Sequence, residues 1–230
     1  AVLSVLVWLS GGISGTYGLE CQIGVVAWDL VHGLNPAVPL LDYFDTFTGF
    51  YLTEGLVASP FVAAGLAPVV AVKLGCLLSN AAILLLAWLF LERTTGRTAA
   101  IVGTLALALG PPALRHQSLA GPIYHYNELL FDFGMLVLWA EIVLGQRRHW
   151  AWYVALGAVC GWGVTNCYGS AIFLAVGLTA WWICDRDLLR RPATWGFAPA
   201  LLAGLSPLLL KATVHRSYGQ ELSGLRDFAV

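Results

Sequence analysis

The stretch Leu66-Ala-Pro-Val-Val-Ala-Val-Lys-Leu-Gly-Cys-Leu-Leu-Ser-Asn-Ala-Ala-Ile-Leu-Leu-Leu-Ala-Trp-Leu-Phe-Leu91 carries one charged residue, Lys73. A helix needs about 20 apolar residues to cross a hydrocarbon core of about 30 Å, and inside lipid each backbone polar group must be paired within the span. Leu66–Leu91 therefore reads as a transmembrane helix. Its neighbours agree: of 230 residues, 59% are hydrophobic and 11% charged, with a mean hydropathy of +0.77, whereas soluble domains carry about 25% charge. Thr98–Leu114 and Ala151–Trp182 contain no Asp, Glu, Lys or Arg.

Working outward from that helix, Ala1–Gly11 reads as the tail of a first span with a glycine-rich exit at Gly11–Gly18. Thr98–Leu114 and Leu129–Gly145 follow the anchor stretch. Trp150–Val164 and Ser170–Cys184 form a close pair around a polar break at Thr165–Tyr168, and Trp195–Leu210 comes last. The expected fold is an all-α polytopic transmembrane bundle of about seven spans, with interfacial helices in the first outward loop. Residues 1–230 read as one transmembrane domain. A start at Ala1 without methionine or a basic leader suggests the N-terminal part of a longer protein.

Basic residues mark the cytoplasmic ends of spans. Arg93 and Arg97 follow the second span, Arg147 and Arg148 the fourth, and Arg186, Arg190 and Arg191 the sixth. Arg115, Arg216 and Lys211 fall on the other side, a bias of about seven to three. Trp150, Trp152, Trp181, Trp182 and Trp195 gather near the basic ends, as interfacial anchors do.

The acids take the opposite side. The first outward loop, residues 16–65, contains Glu20, Asp29, His32, Asp42, Asp45 and Glu54 and no Lys or Arg. Within it Cys21–His32 reads as an interfacial helix stopped by Gly33 and Pro36, and Phe47–Ala64 as a second interfacial or re-entrant helix. The second outward loop, Arg115–Asn127, brings Arg115, His116 and His125, and Glu128 and Asp132 open the fourth span. His125, Glu128 and Asp132 are spaced i, i+3, i+7 and share one helical face. Acids in a span are costly, so this face suits a wet cavity, a divalent cation or a charged head group. The alternative is a solvated helix start, where the dipole favours acids. Glu20 follows a small-residue exit and can serve as a general base on a hydroxyl; it can equally be an interfacial charge. Lys73 can neutralise a phosphate or merely snorkel.

Several classes are excluded. A net charge of −1 with twelve basic residues offers no surface for nucleic acid. The cysteines Cys21, Cys76, Cys160, Cys167 and Cys184 show no metal-ligand spacing. Gly12–Gly15 (GISG) matches the G-x-S-G form of membrane serine proteases, but the spans that would hold a base beside the serine are missing.

The order of these features resembles the C-type integral membrane glycosyltransferases, in particular the bacterial branch related to protein O-mannosyltransferases and aminoarabinose transferases. The matching residues are Tyr17-Gly18-Leu19-Glu20, Ala27-Trp28-Asp29-Leu30-Val31-His32-Gly33-Leu34-Asn35-Pro36, Ala64-Gly65-Leu66-Ala67-Pro68, Ala71-Val72-Lys73-Leu74 and Glu92-Arg93-Thr94-Thr95-Gly96-Arg97. They lie within roughly residues 12–145. Two positions depart from the pattern: Glu20 lacks an adjacent aspartate, and the acid opening the fourth span is Glu128 rather than Asp. The resemblance implies transfer of a sugar from a polyprenyl-phosphate carrier to an acceptor on the outward, periplasmic face of a bacterial inner membrane. Glu20 would take the acceptor proton, Glu128 would be the second catalytic acid, and Lys73 or Arg115 would sit near the lipid phosphate. Asp29 and His116 are further substrate-binding candidates. The implied partners are membrane lipid and a lipid-linked sugar donor; the cofactor is undetermined, with a divalent cation on His125, Glu128 and Asp132 as one option. Two other classes stay open: a transporter or channel subunit using those three residues as a cation or proton relay, and a non-catalytic membrane scaffold.

Overall fold

A computed structural model of the chain describes residues 18–34, 50–110, 128–184 and 191–214. Within them lie eight α-helices and no strand: α1 (Gly18–His32), α2 (Phe50–Ala63), α3 (Pro68–Thr95), α4 (Arg97–Leu109), α5 (Glu128–Val143), α6 (Trp150–Asn166), α7 (Ser170–Cys184) and, after a 3-10 turn at Pro192–Gly196, α8 (Phe197–Val214). Among the described residues the expected all-α class is borne out. The first expected span, the GISG string and the Arg115–Asn127 loop lie outside the described residues.

Local chemistry sets the helix limits. Gly33 leaves α1 at φ 111°, a left-handed conformation that glycine adopts without penalty, and its N–H bonds the Asp29 carbonyl at 2.9 Å. Gly96, at φ 94°, turns α3 into α4. Pro68 opens α3, where its missing N–H costs nothing. Two helices contain an internal proline, Pro60 in α2 and Pro207 in α8. Each proline removes the donor for the carbonyl four residues back, and each follows a serine that repairs the loss. Ser59 Oγ donates to the Leu56 carbonyl at 2.9 Å, and Ser206 Oγ donates to the Ala203 carbonyl at 2.7 Å. The carbonyl opposite Pro207 is thus satisfied directly, and the one opposite Pro60 is Leu56.

Among the described residues two helical stretches are long and apolar enough to cross a membrane: Pro68–Thr95, 28 residues at mean hydropathy 2.2, and Pro192–Leu210, 19 residues at 1.5. The others are shorter. At 1.5 Å per residue the 13 residues of α4 reach about 20 Å and the 16 of α5 about 24 Å.

The helices from α3 to α8 alternate in direction. Gly103 of α4 packs against Leu91 of α3, as in a hairpin. At one end Glu141 of α5 meets Arg93 of α3 and Arg147 of the following turn, each at 3.4 Å. At the other end Asp132 of α5 meets Ser170 of α7, so α3, α5 and α7 start together. The α6 and α8 helices run side by side in the opposite sense: Gly157 packs on the Phe197 carbonyl, Gly161 on Leu201 and Gly204, and Thr165 Oγ1 donates to the Gly204 carbonyl at 2.8 Å. One end of the bundle therefore collects Arg93, Arg97, Arg147, Arg148 and Arg191, the grouping expected from their order in the sequence. We call it the arginine end and the opposite one the acidic end.

Two apolar cores hold the bundle. The first joins α1, α2 and α3 through Ile23, Ala27, Ala58, Val62, Ala71, Val72 and Cys76. The second joins α5, α6 and α7 through Met135, Trp139, Ile142, Tyr153, Leu156, Cys160 and Trp181. The α2 helix does more than lie along a surface: its Gly55 accepts Val26 of α1, and its Thr53 Oγ1 takes a hydrogen bond from Trp162 Nε1 of α6 at 2.9 Å. That bond ties the first core to the second.

Candidate functional site at the acidic end

The α5, α6 and α7 helices meet around the turn Cys167–Gly169. The α6 helix ends when the Cys167 N–H bonds the Gly163 carbonyl at 2.8 Å. The chain then reverses through Ser170 N to the Cys167 carbonyl at 3.1 Å and Ala171 N to the Tyr168 carbonyl at 3.0 Å. At Gly169 a Cβ would stand where the Glu128 carboxylate lies, so a side chain there would push that carboxylate aside.

Around this turn the polar side chains converge. Asp132 is 3% exposed, and its Oδ1 accepts from Ser170 Oγ at 2.8 Å. The Cys167 thiol is hydrogen-bonded to Glu128. Burial, reinforced by the Glu128 and Asp132 charges, pushes that thiol up to about 11, so at neutral pH it remains a donor to the carboxylate rather than a thiolate. Asn166, 1% exposed, brings a carboxamide whose Nδ2 and Oδ1 have no partner among the described residues. Two acids, a hydroxyl and a thiol thus meet around one turn, with the Asn166 amide next to the thiol along the chain. Such a set can hold neutral hydroxyl groups and orient them by hydrogen bonds.

The sequence-expected residues fall out as follows. Glu128 and Asp132 are brought together on one face of α5. Glu20 lies in the first turn of α1, and Gly24, one turn later, packs on Pro68 at the start of α3. The backbone of α1 therefore meets the acidic end of the bundle. Asp29 is half-buried on the same helix. Lys73 is 8% exposed, beside Val72 of the first core, and does not snorkel to an open surface. Arg115, His116 and His125 lie outside the described residues. Among the described residues no group of three His, Cys, Asp or Glu is arranged to hold a metal ion.

Cys167 and Ser170 were not legible as site residues: Cys167 lies in the polar break Thr165–Tyr168 and Ser170 opens the next apolar run, and only packing brings them to Glu128 and Asp132. Glu54, 3% exposed on α2 beside Thr53, is likewise more deeply buried than an acid on an interfacial loop would be.

The sequence profile of the dolichyl-phosphate-mannose-protein mannosyltransferase family matches residues 62–210. The chain belongs to that family. Its members are membrane glycosyltransferases that draw on lipid-linked sugars. No curated protein and no solved structure gives a significant match. The mannosyltransferase match spans Lys73, Glu128, Asp132 and the whole Asn166–Ser170 turn, whereas Glu20 and Asp29 precede it.

Proposed function

We propose that the protein is a C-type membrane glycosyltransferase that moves a sugar from a polyprenyl-phosphate carrier to an acceptor hydroxyl at the acidic end of the bundle. Glu20 takes the acceptor proton, the acceptor oxygen bonds to the anomeric carbon, and the bond from that carbon to the carrier phosphate breaks, releasing polyprenyl phosphate. Glu128 is the second catalytic acid. Lys73 and Arg115 balance the phosphate charge, and Asp29 and His116 complete the substrate contacts. The acidic end is the outward, periplasmic side of a bacterial inner membrane, and the arginine end is cytoplasmic, as the basic-residue bias favours. In this arrangement about seven spans cross the bilayer, Ala1–Gly11 contributing to the first, and residues 16–65 form the outward loop with its two helices.

The observation that carries the reading is the meeting of acids at one end of the bundle. Within the segment matched to the mannosyltransferase family, Glu128 and Asp132 converge with Ser170 at the end of the bundle where α1, carrying Glu20, packs on Pro68. The test is reconstitution of the full chain in liposomes with radiolabelled polyprenyl-phosphate mannose and hydroxyl acceptors. Label should move to acceptor in the unmodified protein and stay on the carrier in Glu20→Gln. Absence of transfer by the unmodified protein overturns the assignment. Proton or cation flux that Asp132→Asn removes would instead favour a relay through His125, Glu128 and Asp132.

A further inference from the structure

We infer that the cavity between α3, α5 and the start of α6, at the arginine end, binds the headgroup of a phospholipid with a primary ammonium, phosphatidylethanolamine, from the adjoining membrane leaflet. The inference is independent of sugar transfer and needs only that the chain lie in a bilayer, as members of its family do.

The cavity measures about 500 Å³, within the range of small-ligand sites. Leu89, Glu92 and Arg93 of α3 form one wall, Val137 and Glu141 of α5 the second, and Trp152 of α6 the third. Its mouth lies at the surface, since Leu89, Glu92 and Arg93 are all exposed. Trp152, half-buried, is packed on the second core.

Two bases and two acids meet here. Arg93 Nε and Arg147 Nε each reach Glu141 at 3.4 Å, one at each carboxylate oxygen. Both guanidiniums approach through Nε, so their terminal N–H groups can still donate to a phosphate. The Arg147 guanidinium also lies over the Trp152 ring, 5.8 Å from its centre, which keeps it beside the cavity. Glu92 takes no part in that triad. Its Oε2 accepts from Trp88 Nε1 at 3.1 Å, and a carboxylate has lone pairs for further donors.

This balance of charge selects the occupant. A patch that recruits an anionic lipid carries Lys and Arg in clear excess. Here Arg93 and Arg147 are offset by Glu92 and Glu141, and Arg97, Arg148 and Arg191 do not line the cavity. A zwitterion matches it end for end, with its phosphate on Arg93 and Arg147 and its ammonium on Glu92. A primary ammonium donates hydrogen bonds to that carboxylate, which a trimethylated choline cannot do. Choline is held instead by aromatic faces, and Trp152 already receives Arg147.

Helix geometry supplies the path for the acyl chains. Leu85, Leu89 and Glu92 are spaced four and three residues apart and share one face of α3. Both leucines are exposed. The lipid tail runs along them toward the middle of the span, and the charged cavity stands at their outer end.

The experiment titrates the full chain, delipidated in detergent, with phosphatidylethanolamine, phosphatidylcholine and phosphatidylglycerol of identical acyl chains, and counts bound lipid by native mass spectrometry. The unmodified protein should bind phosphatidylethanolamine at least about tenfold more tightly than either of the others, the effect of one charge-assisted hydrogen bond. Glu92→Gln, a change at an exposed side chain outside the Glu141 triad, should bind the ethanolamine and choline lipids alike. In a second arm the unmodified chain is given N-methylated phosphatidylethanolamines, and affinity should fall as N–H donors are replaced. Equal binding of the ethanolamine and choline lipids by the unmodified protein, or a Glu92→Gln protein that keeps the preference, overturns the site. Tighter binding of phosphatidylglycerol also overturns it, in favour of a basic patch for anionic lipid. None of these outcomes bears on sugar transfer, which the liposome assay reads separately.

Discussion

The hydroxyl of Ser170, the first residue of α7, donates to Asp132 Oδ1 across 2.8 Å, so one hydrogen bond joins α7 to a carboxylate one turn inside α5. Both partners are buried. Removing the hydroxyl leaves the acid without its donor, and hydrogen bonds to charged groups contribute about 1.5–3 kcal/mol. Ser170→Ala should therefore lower the unfolding temperature of the purified protein. Combined with Asp132→Asn, the two losses should sum to less than their separate values, which a double-mutant cycle in thermal unfolding measures. Strict additivity would mean that the bond contributes nothing.

Glu20→Gln and Glu128→Gln probe the chemistry without deleting bulk. General-base assistance contributes roughly 10²–10⁴-fold, so transfer should fall by that order in Glu20→Gln with membrane insertion unchanged. Glu128→Gln also loses charge beside the Cys167 thiol and should reduce transfer. Measured rates within twofold of the unmodified protein would remove either residue from the mechanism.

The Cys167 thiol, raised to about 11 from 9.0 chiefly by burial, gives a pH dependence with a definite sign. The thiolate is the reactive form. Alkylation by a maleimide, followed by mass spectrometry of the folded protein, should be negligible at pH 8 and rise only as pH approaches 11. Folding holds the proton that the unfolded chain releases near pH 9, so this group's contribution to stability declines between about pH 9 and 11. Rapid labelling at pH 7 would show that the turn is open.

Gly161 tests the seam between α6 and α8. A side chain there would stand against the Leu201 carbonyl and within 2.9 Å of Gly204 Cα. Overpacking of this kind costs about 1–3 kcal/mol. Gly161→Val should lower the unfolding temperature and reduce transfer, while Gly134→Ala, whose Cβ would meet Val159 Cγ1 at an ordinary 3.4 Å, should be tolerated. Equal effects of the two substitutions would contradict the close backbone approach.

Much of the bundle was legible because its signals are local. Pro68, Gly96, Gly33 and the Thr165–Tyr168 break punctuate the apolar runs, and helices end within a few residues of where those signals stand. The pairing of Glu128 with Asp132 was legible from helical spacing alone. What the chain order concealed depends on register between helices distant in sequence. Cys167 meets Glu128 only because α6 lies antiparallel to α5, and Thr53 gains its donor only where Trp162 crosses to α2. No periodicity within one segment encodes those alignments; they follow from where glycines allow backbones to approach.

The backbone contact along Gly157, Gly161 and Gly204 leaves no layer of side chains between α6 and α8. A helix cushioned by long side chains can shift by changes of rotamer, but one resting on another backbone can only slide along it or detach. The end of α6 that leads into the Cys167–Gly169 turn is thereby held against α8, and any adjustment beside Glu128 must come from α5 or α7.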